Sequence, residues 1–123
     1  MTETGSGGSA LGPLEAEVMA VLWAAKEPVS VREVAGQLNA ERSEPLAYTT
    51  VMTVLSRLAG KQVVARRRQG RGYVYTPAVV DSAEIAVRGV LAQFGDAAVA
   101  RFVDQVELDP GLRARLRRLM GES

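Results

Sequence analysis

Between Tyr48 and Leu58 the chain sets four hydroxyl side chains, Thr49, Thr50, Thr53 and Ser56, against an apolar set of Val51, Val54, Leu55 and Leu58. Shortly after come Arg66-Arg67-Arg68 and Arg71. Short hydroxyls hydrogen-bond in both senses without bulk, and guanidinium groups bring forked donors with a permanent charge. That combination suits a polyanion: hydroxyls and Tyr48 or Met52 against base edges and phosphates, Arg57, Lys61 and the arginine cluster against phosphates.

The charge distribution supports the same reading. The 123 residues carry 15 Lys+Arg against 14 Asp+Glu, a formal net charge of only +1. Between Pro45 and Val80, however, stand Arg57, Lys61, Arg66, Arg67, Arg68 and Arg71 with no Asp or Glu among them. A basic block of this kind inside a folded domain is the footprint a polyanionic partner requires. Neither Cys nor His occurs, which removes thiolate and imidazole catalysis, the usual zinc sites and any disulfide framework. Glu15 and Glu17 lie two apart on a helix and point different ways, and Asp104, Glu107 and Asp109 fall at a polar helix end. Neither set reads as a catalytic pair, no phosphate-cradling glycine loop is present, and no enzyme, metal or cofactor is expected.

These side chains need elements to hold them. Gly12-Pro13 opens a helix whose Leu14, Val18, Val21 and Leu22 share a face, over about residues 13 to 26. Ser30 and Glu33 form a capping box for a second helix with Val31, Val34, Ala35 and Leu38 inside, ending near residue 40. The hydroxyl-bearing helix runs from near Ala47 to Gly60, which is taken to close it. Val63 to Arg68 and Tyr73 to Thr76 are then two β-prone runs joined by Gln69-Gly70-Arg71-Gly72, with Val29-Ser30 placed to add a short third strand. Alternation puts Arg66 and Arg68 on one strand face and Arg67 on the other. Tyr73 and Tyr75 read as sheet-packing residues, and Trp23 as core or an inter-domain contact. The fold class is mainly α with a small antiparallel β wing: a winged helix-turn-helix followed by a C-terminal helical arm.

From Asp81 three helices are predicted, broken at Gly95-Asp96 and Asp109-Pro110. Their apolar sets are Ile85, Val90, Leu91 and Phe94; Val99, Phe102, Val103 and Val106; and Leu112, Leu116, Leu119 and Met120. So short a segment cannot close a core alone, so residues 81–123 are expected to dimerise with a second copy. The division is then 1–9, a flexible Gly/Ser tail; 10–80, a winged-helix domain for double-stranded DNA; and 81–123, a dimerisation domain. The opening residues lack the pattern of a signal peptide and no run approaches a membrane span, so a cytoplasmic protein is expected.

The stretch Ala47 to Leu58, continued by Gly60-Lys61 and the valine-rich strand, resembles the recognition helix of the penicillinase-repressor (BlaI/MecI) family. Leu14-Glu15-Ala16-Glu17-Val18-Met19, with Leu22-Trp23, resembles that family's first helix. The resemblance implies a homodimeric winged-helix repressor on a palindromic operator of β-lactam-resistance or related genes. It also implies release by cleavage of the arm by a membrane sensor metalloprotease or a protease that it activates. The family's cut between Asn and Phe corresponds here to Arg101-Phe102, where the Phe is present and the Asn is not. Thr49, Thr50 and Thr53 fall at family contact positions, and Met52 stands where the best-studied members carry a charge. Copper-responsive relatives have a Cys-rich C-terminus, a mode of sensing that a chain without Cys lacks. Two other readings of the residues stay open: a winged helix that docks protein instead of DNA, and a regulator released by a small molecule.

Overall fold

The computed structural model describes residues 11–121, so the Gly/Ser tail expected over residues 1–9 lies outside the described residues. The elements run α1 (Pro13–Ala24), β1 (Val29–Ser30), α2 (Val31–Asn39), α3 (Tyr48–Gly60), β2 (Val64–Gln69), β3 (Gly72–Pro77), α4 (Ser82–Phe94), α5 (Asp96–Leu108) and α6 (Pro110–Leu119). Chain contacts divide into two units, Ala10–Ile85 and a second that takes in Ala86 onward.

In the first unit three helices pack with a three-stranded antiparallel sheet of order β1-β3-β2. β1 pairs with β3 through Val29 opposite Tyr75, and β2 with β3 through Arg66 opposite Tyr75 and Arg68 opposite Tyr73. The hairpin closes over Gly70-Arg71, where Gly70 at φ +63° supplies the left-handed first position of a two-residue turn. Apolar burial drives the assembly. Val18, Met19 and Leu22 of α1, Val34 and Leu38 of α2, and Val51, Val54, Leu55 and Leu58 of α3 meet Val63 ahead of the wing and Val64 and Tyr75 of the sheet.

The α1 stripe is turned slightly from the predicted one. Val18, Met19 and Leu22 are buried, while Leu14 and Val21 are half-buried beside them. The capping box of α2 forms as its residues dictate: Glu33 N–H donates to Ser30 Oγ at 3.1 Å, and Ser30 N–H donates to Glu33 Oε1 at 2.8 Å. Between α2 and α3 the amide of Asn39 clasps one residue's backbone, accepting from Leu46 N–H at 2.7 Å and donating to Leu46 O at 3.2 Å. This clasp fixes where α3 begins.

Gly60 is the last residue of α3, as expected, but it is not the left-handed one. The helix runs through it to a cap at Lys61, and the left-handed residue is Gln62 at φ +65°. Val63 N–H donates to Leu58 O at 3.2 Å and Gln62 N–H to Ala59 O at 3.0 Å, the paired bonds of a Schellman ending. The turn into the wing therefore rests on a non-glycine residue in a region that costs L-residues about 1 kcal/mol.

Ile85, grouped in the sequence with the arm's outward apolar set, is buried in the core of the first unit with Val79. Ahead of α4, Trp23 Nε1–H donates to Val79 O at 2.9 Å, so the indole holds the chain that leads to that helix. In the second unit α6 starts on Asp109, whose Oδ1 accepts Leu112 N–H at 3.1 Å, with Pro110 at the first helical position. Neither α5 nor α6 has a buried residue.

Gly36 sits inside α2, and a methyl group there would meet open space. Replacing it with Ala should raise stability by roughly 0.5–1 kcal/mol, because glycine pays backbone entropy in a helix interior. Denaturant melts of Gly36→Ala against the parent chain check this, and a loss of stability would contradict the open space around the position.

Candidate nucleic-acid interface

The 3.6-residue period of α3 separates two faces. Val51, Val54, Leu55 and Leu58 are buried, whereas Tyr48, Thr49, Thr50, Met52, Thr53, Ser56 and Arg57 are all exposed. Three residues apart, Thr50 and Thr53 stand one turn above each other on the open side. Tyr48 stands at the first turn, 53% exposed, and Arg57 at the last, where a cation also favours the helix dipole. No side chain of the first unit covers this surface.

Beside it the wing carries its arginines. Arg66, Arg67, Arg68 and Arg71 are exposed. The register places Arg66 and Arg68 on the strand face that holds Tyr75 and Tyr73, and Arg67 on the opposite face with Val74. Tyr75 is buried and packs in the sheet; Tyr73 is exposed and does something else. The Arg66 guanidinium lies 4.6 Å from the centre of the Tyr73 ring and that of Arg68 lies 5.8 Å away. One ring thus holds two cations by cation–π attraction and limits where their forks can point. Its strand position alone gave no hint of this use, because cation–π pairing depends on the cross-strand register.

Lys61 is paired with a carboxylate. Its Nζ donates to Glu15 Oε1 at 2.9 Å and Oε2 at 3.1 Å, and Glu15 also accepts Gly12 N–H at 2.9 Å. Phosphate binding was expected of this lysine; its ammonium pairs with Glu15 while its side chain stays 33% exposed. Glu15 itself is only 6% exposed, although the sequence offered it only as a carboxylate without a catalytic partner. Burial pushes its carboxyl up, but the Gly12 N–H, the Lys61 ammonium and the charge of Arg57 together outweigh burial and hold it below the ordinary carboxylate value.

Elsewhere, Val90, Leu91 and Phe94 of α4 and Val99, Phe102 and Val103 of α5 are exposed, as is Leu119 of α6, which is 83% exposed. Val106, Leu112 and Leu116 are half-buried. The Arg101–Phe102 bond lies in the middle of α5, and Arg101 pairs with Asp104 at 3.0 Å. Among the described residues no cluster of three or more His, Cys, Asp or Glu could hold a metal ion, and no helix is long and apolar enough to cross a membrane.

Two outcomes follow from this geometry. A depressed folded-state value for Glu15 contributes stability that is fully present above about pH 4.3, the ordinary Glu value, and is lost as pH falls through the lower folded value. The stability gap between the parent chain and Glu15→Gln should therefore be widest near neutral pH and shrink below about pH 4; a gap constant from pH 7 to pH 2 would refute the pairing. Tyr73→Phe should keep the affinity for duplex DNA, while Tyr73→Leu should weaken it a few-fold, in line with about 0.5–1 kcal/mol per exposed cation–π contact. Anisotropy titrations with labelled duplex distinguish the two variants, and equal loss in both would assign the effect to the hydroxyl instead.

Comparison with known proteins adds a lineage to this geometry. The penicillinase repressor family model matches residues 11–122. The transcriptional regulator BlaI of Mycobacterium tuberculosis is 43% identical over 121 aligned residues, covering 91% of this chain and 83% of the relative. The solution structure of the DNA binding domain of the repressor BlaI is 30% identical, covers 60% of this chain and 87% of that one, and superposes with a TM-score of 0.52. A chain of the hsRosR-S1 complex shares the fold, with a TM-score of 0.54 at 18% identity over 85% of this chain and 95% of that one. The helix, turn, helix and cationic hairpin are those of a winged helix, the relatives are transcriptional regulators and not enzymes, and the chain belongs to the penicillinase repressor family.

Proposed function

We propose that this chain is a sequence-specific DNA-binding repressor that acts in the cytoplasm as a homodimer on a palindromic operator. One observation carries the reading: the hydroxyl face of α3 is uncovered and stands in the same unit as an arginine hairpin. α3 enters the major groove, with Tyr48, Thr49, Thr50, Met52 and Thr53 near base edges, while Arg57, Arg66, Arg67, Arg68 and Arg71 meet phosphates. The similarity to a solved BlaI DNA binding domain supports DNA binding by this unit.

The arm supplies the second copy. Its apolar positions on α4 and α5 are exposed in the single chain, and an exposed apolar surface of this kind marks a site of association. Val90, Leu91, Phe94, Val99, Phe102, Val103, Val106, Leu112, Leu116 and Leu119 are the residues proposed to meet their counterparts across a two-fold axis. The half-sites then lie about one helical turn, roughly 10 bp, apart or a multiple of it. The genes under control are those of β-lactam resistance or related to them.

Release is by proteolysis at Arg101–Phe102, carried out by a membrane sensor metalloprotease or a protease that it activates. A cut there removes α6 and the latter half of α5 with their share of the apolar surface. The bond is helical, so α5 must open locally before a protease can hold it in the extended form that cleavage needs.

Incubating the protein with fragments of its own genome and sequencing what it retains tests the whole reading. An inverted repeat should emerge, and binding should fall with salt at about −0.9 log units per log unit for each neutralised phosphate. Arg67→Ala with Arg68→Ala should weaken all duplexes alike and shallow that slope by about 1–2. Thr50→Val or Thr53→Val should mainly relax sequence choice, at about 1–3 kcal/mol of discrimination. A flat salt dependence, or the reverse division of effects between arginines and threonines, would overturn the assignment.

A further inference from the structure

Lys61 is the one member of the basic block that pairs with a carboxylate among the described residues. It is also the residue at which the recognition helix ends: it caps α3, Gln62 turns left-handed behind it, and Val63 leads into the wing. Its partner stands 46 residues earlier, in the first turn of α1, and is anchored there by the Gly12 N–H. The Glu15 carboxylate is buried, so it holds its charge only while its donors stay in place. Apolar packing is non-directional, whereas a two-pronged ammonium–carboxylate contact is directional, and here its carboxylate end is buried while its ammonium end stays partly exposed. The pair therefore ties the junction between the groove-reading helix and the phosphate-gripping hairpin to a separate helix, at the point where their mutual angle is set.

We propose that Glu15 and Lys61 form a positioning pair for the DNA-facing surface, with Lys61 acting through Glu15 and not on a phosphate. The inference rests on the DNA-binding reading above and adds to it a residue pair that touches no DNA. It separates two properties that a purely structural ion pair would join. Exchanging the pair for apolar groups of similar size, Glu15→Leu with Lys61→Met, removes the directional contact without leaving either charge unpaired.

The experiment compares the parent chain with Glu15→Gln, Lys61→Met and the apolar double variant, each shown by circular dichroism to be folded at the assay temperature. Affinity is measured by anisotropy for the duplex recovered from the genome and for a scrambled duplex of equal length, at several KCl concentrations. The proposal expects all three variants to lose preference for the recovered duplex by about tenfold, the cost of one misread base pair, with the salt slope unchanged. Lys61→Arg should restore most of the preference. A slope shallower by about 0.9 in Lys61→Met, with preference intact in Glu15→Gln, would make Lys61 a phosphate contact and overturn the proposal. Full preference in the apolar double variant would overturn it as well, because the pair would then be only structural. Amide exchange without DNA checks the restraint itself: the Gln62 and Val63 amides should exchange faster in Glu15→Gln, and unchanged rates would refute it. If the parent chain discriminated no duplex at all, the DNA-binding reading would fall and this use of the pair with it, even where exchange showed the restraint to exist.

Discussion

α3 has to satisfy two solvents with one backbone. Each residue turns about 100°, so a valine or leucine at positions 51, 54, 55 and 58 leaves the intervening positions on the far side of the cylinder. The inward set is fully engaged, with Val51, Leu55 and Leu58 wholly buried, and this holds the outward set at a fixed height above the core. Threonine is a mediocre helix former, since its β-branch loses rotamer freedom. Here the packing of the other face compensates, so propensity does not decide the helix. Charged residues would have stabilised an exposed helical face more, and their scarcity between Tyr48 and Ser56 is what leaves the surface shallow enough to enter a groove.

The short-range features of the fold were legible in the sequence because each is written within a few residues. The α2 capping box needs only Ser30 and Glu33, the hairpin needs Gly70 between two β-prone runs, and the breaks around Gly95 and Asp109 interrupt the apolar period visibly. What escaped depends on partners far along the chain. Nothing near Glu15 announces that its carboxylate is buried, because the ammonium that makes burial tolerable belongs to Lys61. The same contact gives Lys61 a carboxylate partner that a count of charges does not reveal. Gly60 ends α3 as its type suggests, but the left-handed position falls two residues later, at Gln62, where no glycine announces it. Ile85 fits the apolar period of the arm but is claimed by the core next to Val79, and a period cannot say which of two bodies takes a residue.

The two units solve different packing problems. Residues of the first find enough neighbours to bury whole side chains from every helix and strand. The second offers its apolar positions on α4 and α5 without covering them, and its last helix adds four arginines around Leu112, Leu116 and Leu119. Small helical arms of this kind carry too little interior to be stable alone and depend on association.

The single tryptophan of the chain lies where α1 meets the segment just ahead of α4, with its indole N–H given to the Val79 carbonyl. Indole emission shifts with the polarity of its surroundings, so exchange of this carbonyl for water would alter it. The protein thus carries its own optical gauge of the strap between its DNA-reading part and its helical arm, readable in the unlabelled molecule.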